Sequence, residues 1–118
     1  SYAVSLPVRS SVKIETLGSN TTEFTTISAE DFINIQNDKN YQIIDVRTEE
    51  EHESFNLGGT NVPLDKYMKR ETKLDPSKST VFYCRTDVRS TQAAKKAIQD
   101  NPNVKILVLS GGVEGFRK

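Results

Sequence analysis

The residues best equipped for chemistry in this chain lie in one stretch, Cys84-Arg85-Thr86-Asp87-Val88-Arg89-Ser90. Cys84 is the only cysteine; it follows the apolar run Val81-Phe82-Tyr83, and a helix-period sequence starts at Val88. A thiol between a strand end and a helix N-terminus faces backbone N–H groups and the positive end of the helix dipole, which favour a thiolate. If the loop curls round the sulfur, the N–H groups of residues 85 to 90 become a cradle for a sulfur anion, a persulfide included, with no metal needed. Arg85 and Arg89 add positive charge suited to an anionic donor or product. The competing expectation is that Cys84 is a small buried hydrophobe, the usual fate of a free cysteine. The strand–loop–helix setting and the flanking arginines favour a nucleophile.

Other candidates carry weaker chemistry. Asp45 and Arg47 close a second apolar run and either support the active loop or form a strand-end polar pair on the fold's rim, the structural role being favoured. Arg47 and Glu51 are four residues apart and are placed to pair across a helix start, worth a few tenths of a kcal/mol if exposed. His52, the only histidine, sits among acids and reads as solvated surface, because a lone imidazole without further ligands makes a poor metal site. Glu49-Glu50-Glu51 reads as a solvated first helical turn. Neither a metal nor a cofactor is expected.

The elements that must hold these residues follow from pattern. Glu23 to Ile27 predicts a short strand, and Ser28-Ala29-Glu30-Asp31 a capped start for a helix ending near Asn37. Gln42 to Val46 is a β-branched run expected as a buried strand, with Thr48 capping a second short helix. Gly58-Gly59 breaks that segment, and Pro63 suits the first position of a helix to about Glu71. Val81 to Tyr83 is a third strand. Ala93, Ala94, Ala97 and Ile98 recur at helical spacing, and Val104 to Leu109 is nearly all apolar. Gly111-Gly112 leads into a last short segment ending at Lys118. Apolar strands alternating with short helices argue for an α/β fold whose mainly parallel sheet is covered on both faces, with functional residues at the strands' carboxyl ends.

Composition sets the outer bounds. With 118 residues, 35% hydrophobic and 27% charged, the chain suits one ordinary globular domain. A formal net charge of zero gives no global argument for nucleic acid or an anionic membrane. No apolar run approaches the roughly 20 residues that span a bilayer, and residues 1–20 lack the apolar core of a secretory signal. One cysteine makes no intrachain disulfide, so the cytoplasm is the expected location. Residues 1–22, rich in Ser, Thr and Asn, read as a linker or the tail of an upstream domain, or else as an expression scar, with the folded domain over residues 23–118.

Four segments in order resemble the rhodanese superfamily of sulfurtransferases. Ile43-Ile44-Asp45-Val46-Arg47 with Glu51 is similar to the family's first strand motif, and Asn56 to Leu64 to the segment before its next helix. Cys84 to Ser90 resembles the active loop C-R-x-G-x-R-S, and Gly111 to Phe116 the closing G-G-x-x-x-W. The resemblance implies a three-layer rhodanese-like fold with short helices flanking the sheet. It implies Cys84 as nucleophile, Arg85, Thr86, Asp87, Val88 and Arg89 as the substrate-binding loop, and Asp45, Arg47 and Ser90 as its support. The implied reaction moves a sulfane sulfur, from thiosulfate or a protein persulfide, through a Cys84 persulfide to a nucleophilic acceptor. Related phosphatases use C-x5-R, whereas four residues separate Cys84 from Arg89.

Two positions depart from the pattern. Asp87 stands where the family usually has Gly, and Phe116 where it has Trp. If position 87 needs a positive φ, Asp is among the more tolerant residues. Its carboxylate would oppose a thiolate and repel thiosulfate, so weak thiosulfate activity and a protein persulfide donor are expected. Phe116 is expected to alter packing alone. The Asn56–Leu64 segment and the linker-like N-terminus are also similar to rhodanese domains fused behind ubiquitin-activating-type adenylyltransferases of molybdopterin or thiamine synthesis. That likeness implies a small sulfur donor or a cysteine desulfurase as one partner and a ubiquitin-like sulfur-carrier protein as acceptor. The alternative is a non-catalytic rhodanese-like module that binds a partner or senses oxidants.

Overall fold

The structure, a computed structural model, describes residues 10–17, 20–69 and 74–116. A six-stranded sheet forms its middle layer. Strand β1 (Ser10–Leu17) pairs antiparallel with β2 (Asn20–Ile27). Then come β3 (Tyr41–Asp45), β4 (Thr60–Asn61), β5 (Ser79–Tyr83) and β6 (Ile106–Leu109). In space the order is β1-β2-β6-β5-β3-β4, and every pairing beyond the first is parallel. The α/β fold with a mainly parallel sheet is therefore present.

The layers follow from alternation along the strands. Ile43, Val81, Tyr83, Leu107 and Leu109 point to one face, where they pack with Phe32 and Ile35 of α1 (Ala29–Ile35) and Val113 of α5 (Gly112–Phe116). Ile44, Phe82, Cys84, Ile106 and Val108 point to the other, against Tyr67 of α3 (Leu64–Lys69) and Ala93, Ala94 and Ala97 of α4 (Val88–Asp100). The three alanines have no bulk beyond Cβ, which lets α4 lie close on the strands. Burying a side chain such as Phe82 contributes roughly 1.5–3 kcal/mol. With both faces covered, β6 is buried at all four positions, as a parallel strand requires.

Some boundaries differ from expectation, each for a local reason. The strand expected at Glu23 starts at Asn20 and pairs with β1, inside the segment read as linker or tail; residues 1–9 and 18–19 of that segment lie outside the described residues. The Ser and Thr content there suits a linker, but Val12, Ile14 and Thr16 alternate at strand spacing. Pro63 accepts at its carbonyl from the N–H groups of Lys66 and Tyr67, both at 2.9 Å, so it caps α3 rather than opening it. The expected end of α3 near Glu71 lies outside the described residues. Strand β4, only two residues long, has no periodicity to read.

The winding places the site. From β3 the chain moves outward to β4, and from β5 it moves the opposite way to β6. The carboxyl ends of β3 and β5 therefore flank the point where the winding reverses, the usual crevice of such sheets. Asp45 and Tyr83 are register partners there, and Cys84 is the next residue out.

Candidate active site around Cys84

Cys84 leaves β5 into a loop that runs through residues 85–87 and into α4. The residue is 1% exposed, with its sulfur at the foot of α4. Fully buried Ser90 supplies both polar contacts to it. The Ser90 N–H donates to Sγ at 3.4 Å, and the thiol donates to Ser90 Oγ at 3.4 Å. Since a hydroxyl is both donor and acceptor, Ser90 can turn its proton toward an ionised sulfur.

Helix α5 fixes the loop's outer side. The Val113 N–H donates to the Cys84 carbonyl at 3.0 Å and the Glu114 N–H to the Arg85 carbonyl at 2.9 Å. In a trans peptide the N–H opposes the C=O, so the N–H groups of Arg85 and Thr86 point away from α5. The N–H groups of residues 85 to 89 have no acceptor among the described residues. Of these and Ser90, the Ser90 N–H is the one that meets the sulfur among the described residues. Gly112 makes this docking possible. Its φ is +55°, and a Cβ there would meet the carbonyl oxygens of Thr86, Cys84 and Arg85 at 2.2, 2.3 and 2.7 Å. Phe116, at the α5 end, sets its ring edge-on to Phe32 at 5.8 Å, a packing role.

The loop side chains diverge. Arg89 makes a bidentate pair with Glu51 of α2 (Glu49–Ser54), Nη1 to Oε1 at 2.7 Å and Nη2 to Oε2 at 3.0 Å. Glu51 also closes a capping box: the Thr48 N–H donates to its Oε1 and its own N–H to Thr48 Oγ1. Hydrogen bonding from Arg89 holds the Glu51 carboxyl at about 2, with the Thr48 N–H helping against the cost of partial burial. The Arg89 guanidinium is raised in turn, chiefly by Glu51, with a smaller contribution from the nearby Cys84 sulfur. Arg85 turns outward, where its Nε donates to Glu114 Oε1 at 2.8 Å. Thr86 and Val88 are exposed. Asp87 is the N-cap of α4 with φ −148°, so this position does not demand glycine. Its side chain makes no cap hydrogen bond and has no partner among the described residues.

A second polar cluster sits at the end of β3. Asp45 is fully buried and Arg47 is 4% exposed. Asp45 Oδ1 accepts from the Arg47 N–H at 2.9 Å and from Arg47 Nε at 3.0 Å, and Oδ2 accepts from Arg47 Nη2 at 2.8 Å. The Arg47 guanidinium lies over the Tyr83 ring, 5.6 Å from its centre, and Nη2 also donates to the Phe55 carbonyl. The Tyr83 hydroxyl accepts from the Leu57 N–H and donates to the Gly58 carbonyl, and burial pushes its phenol up to about 12. Asn61 Nδ2 donates to the carbonyls of Asp45 and Arg47. Asp45 and Arg47 thus brace the residue before Cys84 without contact to the loop side chains.

Two expectations need correction. Arg47 pairs with Asp45 rather than Glu51, because it leads back under the strand end while Glu51 faces α4. His52 is not solvated surface. Its Nδ1 lies 2.8 Å from Asp45 Oδ2 and its side chain is 22% exposed. One helical position on from Glu51, it is directed at the buried carboxylate instead of the loop. Sequence reasoning also passed over the Glu51–Arg89 pair, for which a spacing of 38 residues gives no local signal. The positive φ of Gly112 did have a signal, the Gly111-Gly112 pair. No group of three or more His, Cys, Asp or Glu suited to a metal occurs among the described residues, and no helix among them is long and apolar enough to cross a membrane.

Comparison with known proteins agrees with this fold. The model of the rhodanese-like domain family matches residues 28–118. A rhodanese-related protein from Thermoplasma volcanium superposes with a TM-score of 0.67 at 22% identity, covering 78% of this chain and 89% of that one. A protein of unknown function from Rhodopseudomonas palustris, described as a possible tyrosine phosphatase, gives 0.64 at 24% identity over 78% of each chain. A NAD-dependent persulfide reductase from A. fulgidus gives 0.52 at 26% identity, covering 66% of this chain and 14% of that one. No curated protein sequence matches the chain.

Proposed function

The chain belongs to the rhodanese-like domain family, and from that premise we propose that it is a sulfurtransferase in which Cys84 carries a sulfane sulfur as a persulfide. The supporting observations are the Ser90 N–H donating to Sγ at 3.4 Å and the N–H groups of residues 85 to 89 in the loop that follows, which lack acceptors among the described residues and so are available to a sulfur carried on Cys84. Such donors favour a sulfur anion before and after transfer. In the first step the Cys84 thiolate attacks the outer sulfur of a donor; the S–S bond of the donor breaks and its remnant leaves with the electron pair. With thiosulfate the remnant is sulfite, and Cys84 is left as a persulfide anion. In the second step an acceptor nucleophile takes the outer sulfur and the thiolate returns. With a nucleophilic acceptor no redox partner is consumed. The acceptor implied by the resemblance, the activated C-terminus of a ubiquitin-like sulfur carrier, belongs to this proposal with the roles reversed: the outer persulfide sulfur attacks its acyl carbon, the activating group leaves, and a thiol reductant then cleaves the S–S bond to Cys84, becoming a disulfide as the thiocarboxylate and the Cys84 thiol are released.

Four residues between Cys84 and Arg89 favour sulfur over phosphoryl chemistry in this loop. The burial of Cys84 and the uncompensated Asp87 carboxylate favour a second reading, a rhodanese-like module that binds partners without turnover. The test is direct. The protein is incubated with thiosulfate, or with a cysteine desulfurase and cysteine, then alkylated and weighed intact. A gain of one sulfur, absent in Cys84→Ser, is the expected result. No gain from either donor leaves the binding module.

A further inference from the structure

Strand β1 is one outer edge of the sheet. It pairs with β2 from Ser10 to Leu17, and no described strand pairs with its other side. In an antiparallel pair every second residue turns its N–H and C=O away from the partner, so β1 offers a row of backbone donors and acceptors to the outside. Much of the hairpin also lacks a third strand. β2 meets β6 only at Thr25, Thr26 and Ile27. Asn20 to Glu23, with Ile14 to Leu17 opposite, therefore form a two-stranded ribbon among the described residues, an arrangement that is marginal by itself. The charges of β1 are likewise uncompensated by the hairpin: the register partners of Lys13 and Glu15 are Phe24 and Thr22, and neither carries a charge.

We propose that β1 pairs antiparallel with β1 of a second copy, about a two-fold axis at Ile14. The stretch Val12-Lys13-Ile14-Glu15-Thr16 is complementary to itself in that register. Ile14 lies opposite the partner's Ile14, Lys13 opposite the partner's Glu15, and Val12 opposite the partner's Thr16. Opposite charges and β-branched residues placed directly across a strand pair attract. Shifting the centre to Lys13 or to Glu15 sets like charges across the axis, and a parallel in-register pair does so at both positions. A lysine on an edge strand ordinarily keeps a second strand away. Here Glu15, two residues on and so on the same face, supplies the counter-charge.

The symmetry limits what forms. Directly opposed residues of an antiparallel pair share a face, and here Ile14 opposes its own copy, so the axis stands perpendicular to the sheet. The six strands of one copy run on into the six of the next, and the contact closes at two copies. β5 lies three places from β1 in the sheet. Because the axis reverses strand direction, the two Cys84 loops open at opposite ends of the dimer and neither is covered by the contact.

The intact chain, kept in a thiol reductant, is sedimented to equilibrium from about 1 µM to 1 mM, the span of weak association. A monomer–dimer equilibrium with no larger species is expected. Lys13→Glu and Glu15→Lys each turn both attracting pairs into repelling ones and should weaken the dimer at least about tenfold. The double variant Lys13→Glu with Glu15→Lys restores both pairs with the signs exchanged, and its dissociation constant should return to within about threefold of the wild type. That rescue separates a broken contact from a misfolded hairpin. Hydrogen exchange locates the contact: alternate amides of Ser10–Leu17 should exchange more slowly at high concentration than at low, and those of β5 at the same rate in both. A chain that stays monomeric over the whole range, as it would with another segment already on this edge, overturns the proposal. A dimer indifferent to the single reversals, one that the double variant does not restore, or an open series of larger species does the same. All of these outcomes leave the sulfur-transfer reading of Cys84 standing.

Discussion

At the end of β3, Asp45 is fully buried and its carboxylate accepts from Arg47 twice over, with His52 at 2.8 Å from Oδ2. At the end of β5, one strand away, Cys84 is as deeply buried, yet the N–H groups that follow it have no acceptor among the described residues. The two ends are register neighbours in one sheet. The first is a closed polar cluster in which each strong donor has a strong acceptor. In the second, Ser90 alone supplies the polar contacts to the sulfur among the described residues, and the N–H groups before it are left open. Arg85, Thr86 and Val88 are exposed, so solvent can satisfy their N–H groups, and the difference separates a part of this rim that is closed on itself from a part that is open.

The closed cluster should be the more sensitive of the two to stability. Asp45→Ala leaves the Arg47 guanidinium buried without its carboxylate and is expected to cost about 3–5 kcal/mol, read by urea unfolding. A cost below about 1 kcal/mol would mean that the cluster is not what secures this rim. The open loop has its own weak point in Gly112. Gly112→Ala must push a methyl into three carbonyl oxygens at a positive φ. It is expected to cost about 2–4 kcal/mol and to slow persulfide loading at least tenfold, because the carbonyls that move carry the cradle's peptides. Gly111→Ala is the control. It shares a positive φ, +78°, but its nearest atom would lie 3.7 Å away. Only the backbone cost of about 1–2 kcal/mol should appear, with loading little changed.

The sequence was informative where chemistry is local. Cys84 after an apolar strand and Thr48 as the cap of a short helix are both short-range patterns, and each has its counterpart in the structure. The Asp45–Arg47 pair was legible as a pair but not as buried, because two charges at a strand end read as rim until their partners are known. His52 misled for the same reason. Its acid neighbours in sequence are solvated or turned elsewhere, while Asp45, seven residues back, is the carboxylate it meets. β1 was masked by its composition, since Ser and Thr serve linkers and strands alike and only alternation separates them. What no local pattern could give is the contact between α2 and α4, which the sheet order imposes by bringing β3 beside β5.

That contact, Glu51 with Arg89, joins the two regions and sets the smallest of these effects. Glu51 belongs to the helix whose His52 meets Asp45, while its carboxylate holds the last arginine of the loop. Its folded value of about 2 lies below the ordinary 4.5 because the charged form is hydrogen-bonded by Arg89. A carboxyl depressed in this way stabilises the fold fully above about pH 4.5, and the contribution fades as pH falls toward 2. Both side chains are nearly one-third exposed, so solvent screening limits the pair to about 1 kcal/mol. The wild type should therefore exceed Glu51→Gln by about 1 kcal/mol in urea unfolding at pH 7. That margin should hold down to about pH 5 and shrink progressively below it as the carboxyl takes up its proton. A margin that stays flat to pH 3 would mean that the ionised carboxylate is not its source, and would make the bridge between the two regions one of position alone.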